Sequence, residues 1–266
     1  MKIIVLFLIA VSSLFSNDLN FTPIDGWNHA SGNDHNFDLW AVSPISDALW
    51  HADLKEGKMR KVGDLGVDIK FAGLCFDKDH NLIMLFSNSK RLRMAVIDRS
   101  TGKATVTHDF GRFRDMTIGF EISRNGKDYY WSNRNVLRKL DLEMSTVTRV
   151  MKLEMGSWCL ANSSGGTLLA VGTNDKKLYD IDIKKQKIKV IKDFGGVAPM
   201  PAMASTPGGR LYVGSRDYKF YGVDDGLSLM GTLDDRFIGF AISNKSVKTS
   251  KTAKTPKTTD AYLGDS

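Results

Sequence analysis

The sequence predicts an all-β fold built from repeats, a five-bladed β-propeller of four-stranded blades. Three observations predict it. One strand–turn–strand pattern recurs four times after its first appearance, tight-turn residues separate the strands that lie between its copies, and the two ends of the chain carry incomplete strand sets that complement each other.

The recurring pattern is an alternating strand ending in an apolar residue and Asp, a polar turn, a second alternating strand and Gly. It reads LWHADLKEGKMRKVGDLG at 49–66, RMAVIDRSTGKATVTHDFG at 93–111, LRKLDLEMSTVTRVMKLEMG at 137–156, LYDIDIKKQKIKVIKDFG at 178–195 and FYGVDDGLSLMGTL at 220–233. The aligned acids Asp53, Asp98, Asp141, Asp182 and Asp224 are 45, 43, 41 and 42 residues apart. Between copies lie two further short strands, centred on Asp79-His80-Asn81, Asn125-Gly126, Gly165-Gly166 and Gly208-Gly209. Those residues tolerate the left-handed backbone of tight hairpins. Four strands in a period of this length make one propeller blade.

Each repeated acid is expected to accept backbone N–H groups two or three residues on, fixing its turn, because five copies of one residue mark architecture rather than catalysis. The glycines at 66, 111, 156 and 195 are expected where the fourth strand bends back toward the axis.

The termini decide closure. RFIGFAIS at 236–243 repeats IGFEIS at 118–123 and then stops, so the C-terminus offers an innermost strand without its blade. FDLWAVS, LWHADL and KMRKVG between 37 and 63 offer the other three strands without a first. A ring hides the blade faces that an open row or a sandwich would leave bare. Six blades are the alternative, if residues 18–36 hide a degenerate hairpin; we read that stretch as an extension across one face.

Residues 1–16, MKIIVLFLIAVSSLFS, have the layout of a secretory signal peptide, with an apolar core too short to span a bilayer. An N-terminal extension at 17–37, the propeller domain at 38–243 and a Lys/Thr-rich tail at 244–266 follow. The tail has no apolar periodicity and is expected to stay disordered. Much of the formal charge of +7 belongs to Lys2 and to a tail with Lys245, Lys248, Lys251, Lys254 and Lys257 against only Asp260 and Asp265; the remaining body has 31 Lys and Arg against 28 Asp and Glu. That balance does not call for nucleic acid. The expectation is a secreted or extracytoplasmic monomer with no stable membrane insertion. Cys75 and Cys159 fall on first strands of non-adjacent blades and are expected to be buried free thiols. No cofactor or metal is expected, since His29 and His35 lack the context of a recognised site.

Function is expected on the face where fourth-to-first and second-to-third connections emerge. Lys90, Arg91, Asn133, Arg134, Asn174 and Arg216 give the second class of loop an amide and cation character suited to hydroxyl-rich or anionic ligands. Trp158, just after the short connection at 156–158, or Phe113 would supply an apolar surface; Trp40, Trp50 and Trp131 sit at alternating strand positions and are expected to pack between blades. Were the protein an enzyme on glycans, Glu121, Asp115 and Asp68 would be the carboxylates to bring together, with Glu121 otherwise paired to Arg114. Asn20, Asn162 and Asn244 head glycosylation triplets, Asn162 in an expected exposed hairpin.

LRKLDL at 137–142, followed by a strand and Gly, alternates with segments such as GGRLYVG at 208–214. This resembles the broad group of secreted repeat propellers with degenerate blades, the YVTN-like, NHL-like and lectin-type members, across nearly the whole chain after the leader. The Trp-Asp and Gly-His pairs of WD-repeat blades are absent, as is the Trp-centred repeat of tectonin lectins. The resemblance implies a recognition module that binds a glycan or a protein across its loop face. Hydrolase or lyase chemistry on a polymer is the alternative it allows, and a structural scaffold the second.

Overall fold

The computed structural model describes residues 22–24, 37–88, 91–113, 118–195, 200–223 and 227–244. The expected leader and tail, Asn20, Asp224, the His29/His35 pair and the loop residues Lys90, Arg114 and Asp115 lie outside them.

Every regular element among the described residues is a strand, and the strands form a β-propeller. One sheet comprises β1 (Thr22–Pro23), β2 (Phe37–Ser43), β3 (Ala48–Asp53), β4 (Lys58–Asp64) and β19 (Gly239–Asn244), in the order β1-β4-β3-β2-β19. Here the ends of the chain meet: β19 runs antiparallel to β2 from Gly239 opposite Val42 to Asn244 opposite Phe37. The described part of the extension does not cross a face, contrary to expectation. It adds β1 to the outer edge of β4, with Ile24 buried in the core and its N–H on Gly57 O at 2.6 Å. Covering that edge removes a row of unpaired backbone groups.

A four-stranded meander holds β5 (Phe71–Phe76), β6 (Leu82–Ser87), β7 (Arg91–Ile97) and β8 (Ala104–Arg112). Another holds β15 (Ala202–Ser205), β16 (Leu211–Gly214), β17 (Lys219–Val223) and β18 (Leu227–Thr232). The remaining strands, β9 (Gly119–Ile122), β10 (Tyr129–Asp141), β11 (Thr146–Asn162), β12 (Leu168–Gly172), β13 (Lys177–Asp182) and β14 (Lys187–Asp193), share a single six-stranded sheet. The described strands therefore form four sheets, which corrects the expectation of five separate four-stranded blades and equally its six-bladed alternative.

The cause lies in two connections. The link at 156–158 is so short that the outer strand of one repeat continues into the inner strand of the next, and both are β11. Gly156 accordingly sits within β11 without a positive φ, whereas Gly66, Gly111 and Gly195 have φ of +72°, +88° and +62°. In the same way β10 carries straight through Arg134, at φ +53°, where its register shifts. The long sheet is not flat. Leu137 of β10, Met151 and Leu153 early in β11, Leu160 late in β11 and Ile181 of β13 share one core cluster, so the sheet folds over its own apolar face.

The inner segments close a ring: β19 lies beside β5, β5 beside β9, β9 beside β11, β11 beside β15, and β15 returns to β19. Glycines let these strands approach at the waist. A Cβ on Gly73 would stand 2.6 Å from Phe120 Cβ, and one on Gly239 3.2 Å from Gly73 Cα. This is why the IGF triplet occurs at both 118–120 and 238–240.

The four aspartate turns among the described residues form as expected. Asp53 Oδ1 accepts Lys55 N–H at 2.8 Å, Asp98 Oδ1 accepts Ser100 N–H at 2.8 Å, Asp141 Oδ1 accepts Met144 N–H at 3.0 Å and Asp182 Oδ1 accepts Lys185 N–H at 3.0 Å. The Ser100 hydroxyl and N–H hold the Asp98 carboxyl below its ordinary range. A depressed carboxylate stabilises the fold above its unfolded pKa, and that contribution is lost as pH falls through the folded one. Because the turn loses these hydrogen bonds at a solvent-exposed carboxylate, Asp98→Ala should cost about 0.5 kcal/mol at neutral pH. The difference from wild type should shrink in urea melts below about pH 3.5; a difference constant with pH would exclude the carboxylate as its source. Cys75 and Cys159 are buried and free, as expected.

Candidate functional site

The inner strands enclose a channel with two mouths and a closed middle. Around Gly73, Gly119, Phe120, Met203, Gly239 and Phe240 the free volume falls to about 10 Å³, at the margin of one water. The two ends are therefore separate sites.

At the mouth formed by the fourth-to-first and second-to-third connections is a cavity of about 100 Å³ lined by Lys70, Phe71, Ile118, Trp158, Arg216, Arg236 and Ile238, among others. Trp158 begins the inner half of β11, and Arg216 stands in the loop between β16 and β17. The Arg216 guanidinium lies 4.1 Å from the Trp158 ring centroid. Burial lowers the Arg216 pKa first, and the nearby charge of Arg236 lowers it further. Arg236 Nε is buried and has no hydrogen-bond partner among the described residues. No ion pair joins either guanidinium to a carboxylate among those residues. Stacking occupies the face of Arg216 and leaves its in-plane N–H donors for another group. An anion entering this mouth would relieve the repulsion between two guanidiniums and gain charge-assisted hydrogen bonds.

Of the residues expected to bind ligand, the fold brings Trp158 and Arg216 together here. The other described ones go elsewhere. Arg91 Nε is held by Asp109 Oδ2 at 2.8 Å, and Arg93 shares that carboxylate at 3.3 Å. Asn133 is buried, so it offers nothing to a surface ligand. Arg134 and Asn174 are exposed but line neither mouth cavity. Phe113 packs edge-on against Trp131 at 4.9 Å instead of presenting a sugar-binding face. Trp40 and Trp131 are core residues, and Trp50 is fixed by Ser46 Oγ at 3.2 Å. Lys70 and Arg236 were missed, although both lie in fourth-to-first connections. Asp235, beside Arg236, is structural: it accepts Ser46 Oγ–H at 2.7 Å and Arg236 N–H at 2.7 Å.

At the opposite mouth the hairpin turns that follow β5, β9, β11 and β15, with the end of β19, surround a larger cavity of about 400 Å³. Glu121, on β9, faces into it. Ile122 N–H donates to Glu121 Oε1 at 3.0 Å, and the Asn162 backbone N–H also supports the carboxyl. Desolvation outweighs both bonds and pushes the Glu121 pKa from 4.5 to about 8. Arg99 lies 5.3 Å from the centroid of Phe76 and 5.6 Å from that of Trp40, and Arg124 spends its guanidinium on Ser163 O, Ser164 O and Pro207 O. Asn162 stands at the start of the expected hairpin, whose turn residues 164–166 are exposed, but its own side chain is partly covered. It ends β11, half-buried, and its Nδ2 donates to Ile122 O at 2.8 Å.

Of the three carboxylates an enzyme reading names, Asp115 lies outside the described residues, and the two described ones stand apart. Asp68 is exposed and precedes β5 at the first mouth, whereas Glu121 belongs to the second, across the closed waist. What the chain presents is a small cationic site with an aromatic floor at one end and a larger polar cavity around an acid at the other.

No family model and no curated protein matches the sequence. Among solved structures, a chain of a nidogen/laminin complex matches with a TM-score of 0.57 at 12% identity, covering 79% of this chain and 99% of that one. A protein of unknown function from Bacteroides thetaiotaomicron gives 0.54 at 15% identity, covering 79% of this chain and 57% of its own. TolB from Acinetobacter baumannii gives 0.50 at 14% identity, over 77% of this chain and 55% of its own. This chain thus spans little more than half of the last two. The similarity is one of fold: these neighbours are β-propeller proteins, and no single family is identified.

Proposed function

We propose that the protein is an extracytoplasmic recognition module whose loop face binds an acidic glycan. The observation that carries this reading is the Trp158–Arg216 stack with Arg236 and Lys70 at the same mouth. A uronate or sulfate group would take the guanidinium donors, and its sugar ring would lie along Phe71 and the exposed edge of Trp158. The leader-like segment at 1–16 supports export. An acidic protein loop is the other ligand this mouth suits, and the test separates the two.

Immobilised polymers of hexuronic acid, sulfated glycans, neutral glycans and acidic peptides would be compared at low and moderate salt. Binding to the acidic glycans should weaken as salt screens the cationic mouth. Arg216→Ala should reduce it about tenfold or more, and Arg134→Ala should leave it unchanged. Failure to bind any acidic glycan, or an Arg216→Ala variant that binds as well as wild type, would refute the assignment; binding to acidic peptides alone would move it to a protein partner.

A further inference from the structure

The larger cavity is built for a ligand of its own. It is the wider of the two mouths, at about 400 Å³, and the closed waist isolates it from the loop face. That volume lies within the range of small-molecule sites, about 300–1,000 Å³. Its wall alternates hydroxyl and amide groups with apolar surface: Ser123, Asn125, Ser205 and Thr206 on one hand, Phe76 and Ile242 on the other. Hydrogen-bonding groups set between apolar patches match a polyol, whose edges carry hydroxyls and whose faces carry C–H.

Charge selects further. The charged and titratable groups around Glu121 come from several elements: Cys75, Asp77, Lys78 and His80 from β5 and its turn, Arg124 beyond β9, Tyr129 on β10, and Arg99 from the turn after β7, with Asp38 of β2 near Arg99. From β11, β15 and β19 the cavity receives only uncharged groups. Asp77 is already engaged, accepting N–H groups from Asp79 at 2.9 Å and Asn81 at 2.8 Å. Among the residues that line the cavity, with Glu121 uncharged, Arg99, Arg124 and Lys78 face the single acid Asp77; Asp38 and Asp79 act on Arg99 and Tyr129 from outside the lining.

We propose that the cavity enclosed by the hairpin turns at 77–81, 123–128, 163–167 and 206–210 is a second binding site, which takes a small anionic polyol of sugar-acid or sugar-phosphate size. The Glu121 carboxyl lies within the site as its acid group. Protonated, it donates a hydrogen bond to a ligand oxygen; ionised, it repels the ligand's negative charge. Because burial places its titration near 8, affinity is high below that pH and falls above it. Burial raises the pKa of both Cys75 and Tyr129, so neither thiol nor phenol adds a competing charge in that window.

The test is calorimetric titration of the full chain with glucuronate, glucose 6-phosphate and glucose at about pH 6.5 and about pH 9.5, either side of the Glu121 titration. One or both anionic sugars should bind saturably at the lower pH, at least tenfold more weakly at the higher, and glucose should bind more weakly than either. The two anionic arms decide between a carboxylate and a phosphate ligand. Glu121→Gln should retain binding at both pH values, which assigns the pH dependence to this acid and not to His80 or Lys78. Ser205→Trp, a substitution at a half-buried cavity wall, should abolish binding while the far-ultraviolet circular dichroism stays unchanged. No saturable binding of either anionic sugar to wild type, or binding that survives Ser205→Trp, overturns the proposal. If Ser205→Trp does not fold, the Glu121→Gln pH profile decides: a fall in affinity as steep as that of wild type overturns it. Arg216→Ala leaves this site intact, so failure here and failure at the loop face are distinguishable.

Discussion

Trp131→Ala, which truncates the largest fully buried side chain among the described residues, is expected to remove about 3–5 kcal/mol of stability. The side chain is fully buried on β10, with Phe113 edge-on at 4.9 Å and the Arg138 guanidinium 5.4 Å from its ring centroid. It belongs to the cluster of Cys75, Ile83, Leu85 and Phe120, which joins the β5–β8 meander to the long sheet. Truncation leaves a cavity between two sheets whose hydrogen bonding prevents collapse, so the transfer and cavity costs both apply. Equilibrium urea unfolding measures it, and a loss below about 1 kcal/mol would mean that the interface repacks freely.

Gly73→Ala should cost about 3 kcal/mol although it adds one methyl group. The new Cβ would meet Phe120 Cβ at 2.6 Å and the Phe120 backbone N at 2.9 Å, and neither can yield without moving β9. Gly66→Ala is the contrast. Nothing lies within 4 Å of its Cβ, but φ is +72°, so only backbone strain of about 1 kcal/mol opposes it. Equal losses in the two variants would show that the waist is looser than these distances require.

Glu121→Gln has a signed effect on stability as well as on binding. A carboxyl whose folded pKa is raised favours the native state below its unfolded pKa, and the advantage disappears as pH rises through the folded value. Wild type should therefore lose stability relative to Glu121→Gln between about pH 4.5 and 8. Parallel pH–stability curves would place the ionisation elsewhere.

The elements that could be read from the chain were those with local causes. Each described aspartate turn is closed by its own neighbours two or three residues away, and the left-handed turn positions His80, Gly126, Gly166 and Gly209 are needed by the hairpins they occupy. The pairing of β19 with β2 is long-range but was legible too, because a periodic sequence that starts and stops out of phase has one way to satisfy its strand edges. The short link at 156–158 was visible as well. That it would fuse two repeats into one sheet was not, since hydrogen bonding through Gly156 depends on the angle between blades.

The binding residues were less legible for a physical reason. Arg91 and Arg216 look alike in sequence, both cations in second-to-third loops, yet cross-strand Asp109 neutralises one while Trp158 and Arg236 meet the other. The chain by itself determined the strand period, the turns and the circular closure, because each follows from contacts between near neighbours or from the repeat itself. Only the tertiary structure decided which side chains share a mouth, that the waist is shut and that Glu121 sits in a cavity, because those facts depend on the close approach of inner strands from every sheet.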